Sequence, residues 1–113
     1  MKRKQLRFGN GFRVIFGNRN AQAAEMVLKP GDAEGSPDNR HRGADQWLYV
    51  VSGRGSALVN GKRVRIGPGT LMLIERRDRH EIRAEGSAPL STVNVYVPPA
   101  YSKSGAPLPR GRK

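Results

Sequence analysis

Two histidines, His41 and His80, are the only imidazoles in the chain, and cysteine is absent. Imidazole changes charge near neutral pH and ligates transition metals as a neutral base, so acid–base or metal chemistry would be sought there first. Without cysteine, disulfides, thiolate metal sites and a cysteine nucleophile are excluded. The residues between the histidines form short apolar runs punctuated by Gly53, Asn60-Gly61 and Gly67-Pro68-Gly69. That pattern predicts a small β-barrel carrying the two imidazoles inward from separate strands. Glu75 and Tyr96 are the other nearby groups that could move a proton.

The elements that would position these groups are strands. Apolar, β-rich runs at 6–8, 12–16, 21–28, 47–51, 56–59, 63–66, 71–74, 81–83 and 92–97 alternate with Gly, Pro, Asn and Asp clusters. Such spacing predicts an all-β fold with no long helix. Asn60-Gly61 predicts a tight hairpin, because both residues tolerate the positive φ of a type I′ turn. Segment 30–43 reads as one long irregular stretch leading into His41. Strand alternation puts Gln46, Leu48 and Val50 on one face, and Trp47, Tyr49 and Val51 on the other. Likewise His80 shares a face with Ile82, opposite Arg79, Glu81 and Arg83. The inward set is aliphatic with a few polar groups, as in small-ligand pockets, and Leu48, Ile82 and Tyr96 are the expected lining.

The 113 residues suit one domain: a basic segment and first strand over 1–10, a barrel over 11–101, and a flexible basic tail over 102–113. Net charge is +12, but residues 1–7 and 102–113 hold eight basic residues and no acid, leaving 13 basic against 9 acidic residues in the body. The charge therefore reads mainly as solvated ends. The scattered aromatic residues do not make the stacking platform of a single-strand binder, so nucleic-acid contact by the basic ends is the weakest of the functional readings. No apolar run approaches the roughly 18 residues that cross a membrane, and MKRKQLRFGN has no apolar stretch of a secretory signal behind it. The expectation is a soluble, cytoplasmic protein.

Residues 25–99 resemble the cupin superfamily of small barrels. The first motif of that family reads Gly-x5-His-x-His-x3–4-Glu-x6-Gly. Here Gly53 closes it, Gln46 stands at the glutamate, His41 at the second histidine and Asn39 at the first, with Pro30-Gly31 opening it somewhat early. The second motif, Gly-x5-Pro-x-Gly-x2-His-x3-Asn, is matched by Gly69 and His80, while Glu75, Arg77 and Ala84 replace the Pro, the later Gly and the Asn. WLYVVSGRGSALVNGKRVRIGPGTLML is similar to the stretch that joins the two motifs in cupins. The resemblance implies an antiparallel double-stranded β-helix, the jelly-roll or cupin barrel, with metal ligands at His41, Gln46, His80 and Asn39.

The amides at Gln46 and Asn39 still offer carbonyl oxygens but neutralise no charge, and Arg40, Arg42, Arg76, Arg77 and Arg79 lie close in sequence. Two readings stay open. In one, a divalent metal (Zn, Mn, Fe, Ni or Cu) serves isomerase- or dioxygenase-type chemistry on a small polar or anionic molecule. In the other, a metal-free, non-catalytic module binds such a molecule directly, with the arginines available to an anion. Pairing of two copies through the apolar outer face of Trp47, Tyr49 and Val51 is expected in either case.

Overall fold

The computed structural model describes residues 1–35 and 43–106. Their regular structure is nine strands: β1 (Gly11–Gly17), β2 (Gln22–Leu28), β3 (Ala33–Gly35), β4 (Asp45–Ser52), β5 (Arg54–Val59), β6 (Lys62–Ile66), β7 (Leu71–Ile74), β8 (His80–Glu85) and β9 (Leu90–Val97). They form two sheets, β1-β2-β9-β4-β7 and β3-β8-β5-β6, with every pairing antiparallel. The chain crosses from one sheet to the other between β4 and β5, at Gly53. A side chain there would meet the Pro89 carbonyl oxygen, and φ is +87°, so both space and backbone conformation require glycine. Asn60 and Gly61 have φ of 50° and 85°, which closes β5 onto β6 with Val59 opposite Lys62.

Burial follows the period of two. In β4, Gln46, Leu48 and Val50 are buried while Trp47 and Tyr49 are exposed. In β8, His80, Ile82 and Ala84 are buried and the residues between them are not. Met26, Leu48, Val50, Ala57, Ile74, Ile82 and Leu90 form the apolar core between the sheets. Burying an aliphatic side chain of this kind is worth about 1.5–3 kcal/mol, enough to fix the register.

Two elements differ from the sequence expectation. The run at 6–8 is not a strand: Phe8 has φ +54° and its N–H donates to the buried Glu25 carboxylate, which also takes Arg13 at 2.7 Å. The N-terminal segment thus lies against β2 and leaves Trp47 and Tyr49 uncovered, at 43% and 44% exposure. Conversely, segment 30–43 is not irregular throughout, because β3 pairs with β8 inside it. Its three residues, Ala33, Glu34 and Gly35, carry no apolar alternation and owe their extended form to the neighbouring strand.

Candidate functional site

At one end of the barrel the inner wall turns polar. The register sets Gln22, Tyr96 and Gln46 in one row across β2, β9 and β4. Gln46 and His80 are both only 2% exposed. Below Gln46 runs a chain of hydrogen bonds whose direction is fixed by chemistry. The Met26 carbonyl can only accept, so the Thr92 hydroxyl donates to it at 2.9 Å. Thr92 Oγ1 then accepts from Asn94 Nδ2 at 3.0 Å, which turns Asn94 Oδ1 toward Gln46 Nε2, 2.8 Å away. Gln46 Nε2 is committed, and Gln46 Oε1 has no hydrogen-bond partner among the described residues. A buried acceptor left in that state costs about 1–3 kcal/mol. The relay therefore holds an unsatisfied oxygen in a set orientation.

His80 approaches the same end from β8. Burial pushes its pKa down, against the opposing pull of the Asp78 carbonyl and charge, which favours the uncharged ring. Its Nδ1 lies 3.4 Å from the Asp78 carbonyl oxygen, a contact that requires the proton on Nδ1 and puts the lone pair on Nε2. Tyr96 and Tyr101 close the end in an edge-to-face pair with ring centroids 5.0 Å apart, hydrogen-bonded to each other. Burial raises both hydroxyls, Tyr101 to about 12. Gln22 fixes the strap that carries Tyr101. Its Oε1 accepts from the Ala100 and Tyr101 N–H groups, and its Nε2 donates to the Tyr101 carbonyl.

Glu34 completes the wall. It stands opposite Ile82 in the β3–β8 pairing, so its side chain leaves the sheet on the face shared by Ile82 and His80. The residue as a whole is exposed, yet partial desolvation raises its carboxyl, and its charge is felt by both tyrosine hydroxyls. Ion pairs among the described residues engage Glu25, Asp45 and Glu81; Glu34 has no ion pair or hydrogen bond among them.

Of the ligands expected from sequence, Gln46 and His80 stand on the inner wall of the polar end, while Asn39 and His41 lie outside the described residues. Leu48 and Ile82 are core residues beneath it, and Tyr96 borders it directly. The neighbouring arginines that are described have other positions. Arg76 binds Asp45 through its backbone N–H and its guanidinium, which lowers the Asp45 carboxyl, and Arg77 and Arg79 are exposed. Glu75 is exposed in the turn before β8, its N–H bound to Asp78. A hollow of about 630 Å³ lined by Arg54, Arg65 and Glu85 lies by the β6–β7 and β8–β9 turns, at the opposite end of the barrel.

Sequence reasoning missed Glu34, Thr92, Asn94, Gln22 and Tyr101. Once Tyr96 is placed inward, alternation alone puts Asn94 and Thr92 inward as well.

Two antiparallel sheets with a polar end built on facing strands define a small jelly-roll barrel. The cupin domain profile matches residues 24–96, and the chain belongs to that family. The tetracenomycin polyketide synthase protein TcmJ of Streptomyces glaucescens is 30% identical over 73 residues, which cover 65% of this chain and 48% of that protein. This chain thus spans about half the length of the curated relative it matches. TT1209 from Thermus thermophilus superposes with a TM-score of 0.74 at 22% identity, covering 87% of this chain and 98% of that one. KdgF from Halomonas sp. gives 0.70 at 21% identity, covering 77% and 76%. At such identities these likenesses carry the fold.

Many members of such a fold hold a metal, so the donor set is the test of whether one fits here. No three of His, Cys, Asp or Glu come together among the described residues. The wall instead offers the His80 imidazole, a fixed amide oxygen with no partner among the described residues, and the Glu34 carboxylate, which has no ion pair among them. Mixed N and O ligands of this kind suit a divalent first-row metal.

Proposed function

We propose that the polar end of the barrel binds a divalent transition metal together with a small, neutral, hydroxyl- or amine-bearing molecule. The observation that carries this reading is Gln46 Oε1, a buried acceptor aimed by a three-bond relay and left without a protein donor among the described residues. An acceptor so placed calls for a cation or a ligand N–H or O–H. His80 and Gln46 would hold the metal, with His41 as the second imidazole implied by its motif position. When bound, the metal supplies Lewis-acid polarisation of a ligand oxygen. The chain's own residues do the rest. Leu48 and Ile82 floor the site, and Tyr96 and Tyr101 wall it and present hydroxyls that stay protonated well above neutral pH. A ligand O–H or N–H could donate to the Gln46 acceptor, whereas a carboxylate or phosphate oxygen could not. Kinship with a polyketide synthase protein supports an oxygen-rich organic molecule, and isomerase- or dioxygenase-type chemistry is the corresponding catalytic proposal.

Metal-free binding is the second reading, favoured by the neutral amide where the family motif has a carboxylate. Elemental analysis of protein purified without chelator separates the two. Near-stoichiometric Mn, Fe, Ni, Cu or Zn supports the first; metal-free protein whose melting is unmoved by all five metals leaves the second.

We also propose that two copies pair through the outer face of β4 and β7. Trp47, Tyr49, Leu71 and Leu73 are exposed there, and cross-strand pairing joins them into one patch. No Lys or Arg belongs to this patch in a chain of net charge +12, so like-charged copies could approach there, and β7 is the edge strand of its sheet.

A further inference from the structure

We infer that Glu34 supplies the negative ligand that the Gln46 position lacks, so that the metal site's carboxylate comes from β3 rather than β4. The inference rests on the metal-binding reading and names a residue outside the family motifs. Three observations carry it. Register with Ile82 sends the Glu34 side chain to the inner face that also carries His80. Among the described residues it has neither an ion-pair partner nor a hydrogen-bond donor. The carboxylate, the amide oxygen of Gln46 and the imidazole of His80 are all groups that receive a cation, and a metal held by the latter two alone would have no charge neutralised by the protein. A carboxylate close by would supply that charge, and each unit of ligand charge outweighs the dipole of a neutral oxygen.

Relocating the charge tests this. Zn²⁺ and Mn²⁺ are titrated by calorimetry into wild type, Glu34→Gln, Gln46→Glu and the double variant, with circular dichroism confirming the fold of each. Glu34→Gln is expected to weaken metal binding by about tenfold or more. Gln46→Glu in the Glu34→Gln background is expected to recover most of that loss, since it returns one carboxylate to the same wall. Wild type that binds metal while Glu34→Gln binds it equally well would overturn the inference and leave the metal-binding reading intact. Wild type that binds neither metal would overturn both.

Discussion

Replacing Thr92 with valine removes one oxygen from the centre of the barrel and changes its shape little. In the native protein that oxygen donates to the Met26 carbonyl at 2.9 Å and accepts from Asn94 Nδ2 at 3.0 Å, with Thr92 wholly buried. The lost donation is worth about 1 kcal/mol net, and the stranded Asn94 N–H adds a desolvation penalty of about 1–3 kcal/mol. The new methyl returns less than about 1 kcal/mol of apolar burial. The expected loss is about 2 kcal/mol, which for a domain of this size lowers the thermal midpoint by roughly 8 °C. Thr92→Ser keeps both hydrogen bonds and removes only a methyl, so its loss should be about 1 kcal/mol. Thermal and urea unfolding followed by circular dichroism measure both. A second readout distinguishes relay from mere packing: without Thr92 Oγ1, Asn94 and Gln46 can rotate and turn an NH₂ into the site. Metal binding should therefore weaken in Thr92→Val and persist in Thr92→Ser. Equal stability and equal metal affinity in the two variants would refute the relay.

Two further outcomes follow from other parts of the molecule. Tyr101 is raised to about 12 and Tyr96 well above its ordinary value of 10, both mainly by burial. Groups raised in the folded state contribute stability that is present below the unfolded pKa and lost as pH climbs toward the folded one. Unfolding midpoints should accordingly fall between pH 10 and 12, and Tyr101→Phe should shallow that fall; an unchanged slope would show that Tyr101 is not shielded. Sedimentation of wild type at tens of micromolar should give a dimer, and Leu73→Lys, on the exposed β7 face, a folded monomer. A wild-type monomer at high micromolar concentration would dismiss the pairing.

The fold was legible in the sequence because strand boundaries are written in residue types that admit few alternatives. Asn60-Gly61 demands a tight hairpin, and once Gln46 is taken as inward, strand alternation assigns both faces of residues 46–51 although each is apolar. β3 was not legible, since three residues without an apolar side chain give no periodic signal, and Glu34 was lost with it inside a segment read as irregular. The relay was hidden for a different reason. In β9 the valines at 93 and 95 mimic the core-facing set, yet it is Thr92, Asn94 and Tyr96 that are buried inward. A buried polar row is stable there only because each member satisfies the next, and such mutual satisfaction is invisible until the strands are paired. Gln46 and His80 could be named as site residues from their motif positions and from strand alternation. What the amide at 46 does depends on Asn94, which comes from another strand.

The central claim is that the polar end is built to receive a cation. Calorimetric titration of Zn²⁺ into chelator-stripped wild type and His80→Ala, with their folds matched by circular dichroism, tests it most directly. The account predicts one saturable site per chain in wild type, accompanied by a rise in melting temperature, and loss of both in His80→Ala. Titrations in which wild type and His80→Ala bind the metal equally, or in which neither binds it, would contradict the account.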